Sequence, residues 1–149
     1  MSRFLAFCMA ALASLALSNA PVSAQVPDPF ARQLAQDLAQ FDAVHGYDGF
    51  ARAAGPFAGA LARGETQRFT VTLRSGHVYR AAGACDARCR ALDLRLYDPN
   101  GVLIAEDDRS GAAPVLAARP QFTGPHTIEA RMARCAEPPC YFAFNVYTR

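Results

Sequence analysis

The chain of 149 residues carries 15 basic and 13 acidic side chains, a formal net charge of +2. A balance so close to neutral excludes recognition of nucleic acid by bulk electrostatics. Every basic residue is arginine, and the arginines are scattered along the chain, which speaks for composition more than for one anion site.

Met1-Ser2-Arg3 places one charge ahead of Phe4 to Leu17, a run without a charged residue, and Val22-Ser23-Ala24 follows. A charged start, a short apolar run and a small-x-small triplet predict a secretory signal peptide over residues 1–24. The apolar run is too short to cross a hydrocarbon core of ~30 Å as a helix, and no later stretch reaches the roughly 18 apolar residues of a span. Cys8 follows Phe7 rather than a small residue, so it is not expected to carry a lipid. Residues 25–149 are expected to be exported, to a bacterial periplasm or the medium, as one domain.

Asp28-Pro29 reads as a helix N-cap followed by proline at the first helical position. Phe30, Leu34, Leu38 and Phe41 then recur on one helical face, with Arg32, Gln33, Gln36, Asp37 and Gln40 between them. Gly46 is a natural stop. A helix over about residues 29–45 is expected within an N-terminal segment 25–54. Its apolar stripe is expected to cover the edge or open end of the domain at 55–149. His45 falls in its last turn, where it suits the helix dipole.

Beyond Gly55 the period falls to two. Phe69, Val71 and Leu73 alternate with Thr70, Thr72 and Arg74; Leu92, Leu94 and Leu96 alternate with Asp93, Arg95 and Tyr97. Ile128, Ala130 and Met132, then Phe142, Phe144 and Val146, repeat the pattern. Each run has an oily face and a more polar one, so two sheets can close over a shared core. Arg74-Ser75-Gly76 predicts a tight hairpin between strands 66–74 and 77–83. Asp98-Pro99-Asn100-Gly101 predicts another, and Thr123-Gly124 marks entry to a further strand. The fold expected is all-β: a jelly-roll β-sandwich of about eight strands with one N-terminal α-helix.

Once Cys8 leaves with the signal peptide, Cys85, Cys89, Cys135 and Cys140 remain as two close pairs. They suit either an all-cysteine zinc site or two disulfides, and export favours disulfides. Three connectivities are possible. Local pairing requires a turn at each cluster, because an i to i+4 spacing on a strand spans ~13 Å. Gly83-Ala84 and Pro138-Pro139 supply chain-benders, so Cys85–Cys89 and Cys135–Cys140 are expected.

A longer pattern runs from Gly59-x-Leu61 through Gly64-Glu65, Phe69-x-Val71-x-Leu73 and Gly76-x-x-Tyr79. It continues as Leu92-Asp93-Leu94-x-Leu96-Tyr97-Asp98-x-x-Gly101, Ala105-x-Asp107-Asp108 and Thr123-Gly124-x-x-x-Ile128. This resembles the bacterial pre-peptidase C-terminal domain, a jelly-roll sandwich appended to many secreted peptidases. The likeness covers about residues 55–148, with Pro125-His126 where such domains commonly carry tyrosine. It implies a non-catalytic accessory module, here in a free-standing exported form. Some such domains bind calcium, which directs attention to Asp93, Asp98, Asp107 and Asp108 as possible ligands. Calcium needs six to eight oxygens. Asp98 is also explained as a turn residue, and Asp93 as the cross-strand partner of an arginine such as Arg131.

No catalytic site is predicted. His45, His77 and His126 fall in no zinc motif, and Ser75 and Ser110 lack a nucleophile-elbow context. Arg80, Arg88, Arg90, Arg95, Arg131 and Arg134 bracket the cysteine clusters. If those clusters meet, the arginines would form a basic rim for a protein or polysaccharide of the cell envelope; interleaved Asp86, Asp93 and Glu129 would instead make them a solvated, ion-paired surface. Tyr97, Tyr141 and Tyr147 read as outward aromatics suited to the same kind of contact. A second expectation has the helix docking a partner, and a third, from a different class, is a small hydrolase.

Overall fold

The computed structural model describes residues 26–149; the signal peptide read over residues 1–24 and Cys8 lie outside them. Helix α1 runs Asp28–Tyr47, slightly beyond the predicted span at both ends. Pro27 rather than Asp28 takes the N-cap position, and its carbonyl accepts from the amides of Phe30 and Ala31. Gly46 passes through the helix. The chain turns out at Gly49, whose φ of 78° suits a residue without a Cβ.

Eight strands follow: β1 (Ala51–Leu61), β2 (Thr66–Leu73), β3 (Tyr79–Cys85), β4 (Cys89–Tyr97), β5 (Leu103–Asp107), β6 (Val115–Ala118), β7 (Gly124–Cys135) and β8 (Cys140–Thr148). They form two antiparallel sheets ordered β1-β8-β3-β6 and β2-β7-β4-β5, the interleaved orders of a jelly roll. β1 begins at Ala51, inside the stretch read as the end of the helical segment. Only β4 and β5 are joined within one sheet, through the predicted Asp98–Gly101 turn; every other connection changes sheet.

The predicted hairpin at Arg74-Ser75-Gly76 is therefore overturned. β2 and β3 lie in opposite sheets. The amide of Gly76 donates to Pro120 O, and Val78 exchanges bonds with Arg149, which carries the segment across the end of the sandwich. Glycine with positive φ serves a corner as well as a hairpin, so local sequence did not separate the two.

Between the sheets lie Val71, Leu73, Leu92, Leu94, Leu96, Ile128, Met132, Phe142, Phe144 and Val146, all buried. Phe57, Phe69, Phe142 and Phe144 form an aromatic cluster of stacked, tilted and edge-to-face pairs with centroids 5.0 to 6.1 Å apart. Each such side chain, fully buried, stabilises by about 1.5–3 kcal/mol. The inward residues are those the period of two selects.

The outward face of β3 and β8 is not polar. Ala84 and Ala143 meet Leu34 and Leu38 of α1, with Phe41, Val26 and Tyr141 around them. The helix thus covers the outer face of the first sheet, not its edge or open end. Alanines there let the helix approach closely, and the molecule gains a third layer.

Candidate functional site

Both disulfides are present as expected, with Cα separations of 5.8 Å for Cys85–Cys89 and 5.9 Å for Cys135–Cys140. Each joins a strand of one sheet to a strand of the other, and Cys89 faces Cys135 in the β4–β7 ladder. The cysteine clusters do meet, at one end of the sandwich.

The six arginines do not form one rim there. Arg88 is held by Asp86 at 3.0 Å and lies over the rings of Phe30 and Tyr141, tying the start of α1 to the β3–β4 corner. Burial opposes the charge on Asp86, but donors from Arg88 and the Tyr141 amide outweigh it and hold the carboxyl below its ordinary range. Arg80 sits at the other end of α1, paired with Asp48. Arg95 and Arg131 belong to the outer face of the second sheet, where Arg68, Glu129, Arg95 and Glu106 form a charge ladder and Arg131 pairs with Asp93 at 3.1 Å. Of these six, only Arg90 and Arg134 are exposed without an ion pair among the described residues. The six sit on different elements: Arg80 on β3, Arg88 in the β3–β4 corner, Arg90 and Arg95 on β4, and Arg131 and Arg134 on β7.

The four acidic candidates are likewise dispersed. Asp98 Oδ1 accepts from the amides of Asn100 and Val102, as its turn requires. Asp107 accepts from the Arg109 guanidinium, which holds its carboxyl below the usual range, and from the amides of Arg109 and Val115. Asp93 is occupied by Arg131, and Asp108 is exposed on the following loop. Among the described residues no three His, Cys, Asp or Glu side chains come together as a metal-binding group. These carboxylates do not fit a shared calcium ion.

Tyr141 and Tyr147 are not free contact residues. Tyr141 stacks on Phe30 at 4.9 Å. Tyr147 is buried beneath α1 and donates to Asp42 Oδ1 at 2.8 Å; its burial pushes the phenol up to about 12. Tyr97 is half-buried in the charge ladder, its hydroxyl donating to Glu129. His45, also buried, lies 4.5 Å from the Tyr147 ring and accepts at Nδ1 from Arg80 at 3.2 Å. Burial, then the neighbouring guanidinium, lowers its pKa. These groups fasten the helix to the sheet.

Val44 and Tyr47 at the end of α1 are exposed, and a further apolar surface lies at the end opposite the disulfides. A cavity of about 330 Å³ is lined by Asp98 and Val102 of the β4–β5 turn, Ile104 of β5, and Arg119, Gln121 and Phe122 of the β6–β7 connection. Val102, Leu103, Ile104 and Phe122 are all exposed, between 38% and 57%. An apolar cluster beside a cavity makes this end the candidate interaction surface. Sequence reasoning missed it. The signal was Val102-Leu103-Ile104, three branched aliphatics in a row where a half-buried strand would alternate. Phe122 gave no such signal, because the jelly-roll connection alone brings it near.

No protein-family model matches this chain, and no curated protein matches it either.

Proposed function

We propose that this protein is an exported, non-catalytic binding module that engages a protein of the cell envelope or its surroundings, in the manner of a free-standing relative of the pre-peptidase C-terminal domain. The observation that carries the reading is the exposed apolar set Val102, Ile104 and Phe122 lining the cavity at the end opposite the disulfides, with exposed Leu103 between the first two in the chain. Two disulfides suit an oxidising compartment, and no described helix is long and apolar enough to cross a membrane.

The chemistry of the polar residues supports a module without turnover. His126 is fully buried beside Gly124 O, and His45 is sealed under the helix. Ser75 meets the Thr123 hydroxyl rather than a histidine. The apolar stripe of α1 rests on its own sheet, which favours the sandwich end over the helix as the contact surface.

The test is affinity capture from envelope extract by the disulfide-bonded protein, followed by binding of the purified partner. Saturable binding lost in both Ile104→Asp and Phe122→Asp, and kept in Arg90→Glu with Arg134→Glu, is expected. Binding that ignores the first pair and follows the arginines would move the site to the disulfide end. Turnover of ester, peptide or glycoside substrates by pure protein would contradict the non-catalytic reading.

A further inference from the structure

Resting on that reading, we infer that β5 accepts an extended segment of the partner as an added strand, with one basic side chain of that segment entering the cavity to meet Asp98. Four strands form the sheet edges: β1, β6, β2 and β5. An edge offers unpaired amides and carbonyls to another chain unless something blunts it. β1 carries Pro56, which has no amide to offer an added strand. β2 presents Thr66, Arg68, Thr70 and Thr72 to solvent. β6 is only four residues long.

β5 differs. It lacks proline, bears exposed Leu103 and Ile104, and pairs on one side only, with β4. One irregularity, between Leu96 and Tyr97 of the β4 register, lets Ile104 bulge. Among the described residues, no backbone bond outside the β4 ladder involves residues 103 to 107. A strand laid along this edge would gain main-chain bonds from β5 and send alternate side chains to one face. Ile104 forms part of the cavity wall, so the cavity lies within reach of such side chains.

Charge selects the side chain. Asp98 is 8% exposed, and its Oδ1 is committed to the turn, whereas Oδ2 has no hydrogen-bond partner among the described residues. Arg119, the other charge on the wall, turns Nη1 to the carbonyl of Gly76. Arg119 is exposed and solvated, so the carboxylate is the buried charge still open to pairing. Val102, Ile104 and Phe122 supply apolar surface for the stem of an arginine or lysine, with its head at Asp98.

The probe is the capped peptide Val-Thr-Val-Arg-Val-Thr-Val, titrated into the disulfide-bonded protein and followed by fluorescence anisotropy. Two controls accompany it: the same peptide with glutamate for arginine, and one N-methylated at alternate amides. Saturable binding of the arginine peptide, weakened about tenfold or more in either control, is expected. Asp98→Asn keeps the turn acceptor and should bring the arginine peptide down to the level of the glutamate one; Phe122→Ala, at an exposed site, should weaken it without affecting folding. No saturable binding up to millimolar peptide overturns the inference. So does equal binding of the arginine and glutamate peptides, or indifference to N-methylation. Partner capture that persists while all peptides fail would leave the binding-module reading standing and remove strand addition.

Discussion

Cys89 on β4 stands directly across the ladder from Cys135 on β7, so the two disulfides begin side by side in one sheet and each ends in the other. Each closes a short loop of chain, yet each fixes a corner at which the chain passes from sheet to sheet. One end of the sandwich is thereby stapled twice, and the opposite end carries the exposed aliphatic surface.

Replacing Cys135 and Cys140 together by serine is expected to lower stability by about 2 kcal/mol, the chain-entropy value for so short a loop. Urea unfolding at equilibrium measures it. A loss near zero would show that the β7–β8 corner is already fixed by its ladders.

Acidification is expected to loosen the helix first. His45 has a folded pKa below its ordinary 6.5, with burial the larger cause and Arg80 the next. Asp42 and Asp48 of the helix end pull the other way, and Tyr147 of β8 faces the same ring. A depressed folded value means stability that is full above 6.5 and falls as pH drops below it, because the unfolded chain takes the proton first. Depressed carboxyls at Asp86 and Asp107 add a second loss below about 3.8. His45→Gln, which cannot charge, should flatten the stability slope between pH 6.5 and 5. An unchanged slope would assign that loss to another group.

Millimolar calcium is expected to leave the melting temperature where it stands in EDTA, because the acidic side chains are dispersed and largely committed to other donors. Asp107→Asn should destabilise by about 1–3 kcal/mol with or without calcium, since the amide nitrogen would face the two donors now at Oδ2, Arg109 Nη2 and the Val115 amide. A calcium-dependent rise of several degrees, lost in Asp107→Asn, would restore the ion.

The sandwich was legible because Phe69-Val71-Leu73, Leu92-Leu94-Leu96 and Phe142-Phe144-Val146 keep a strict period of two, and the cysteine spacing forced turns. What stayed hidden depends on which sheet a strand joins. Gly76 looks the same in a hairpin and in a corner. Tyr141 and Tyr147 occupy outward positions, and nothing local says that a helix will cover them. The alanines at positions 82, 84 and 143 were the available sign, since a row of small residues on an outward face leaves room for another layer. The candidate surface was split between 98–104 and 119–122, segments that only the jelly-roll connection unites.

The most direct test of the binding end is to place a photo-crosslinking amino acid at Phe122, or at Arg134 near the disulfides, and irradiate cells that export the protein. A discrete crosslinked species is expected from position 122, absent at position 134 and abolished by Ile104→Asp in the same chain. A species formed only from position 134 would contradict this expectation and return the contact to the arginines of the stapled end.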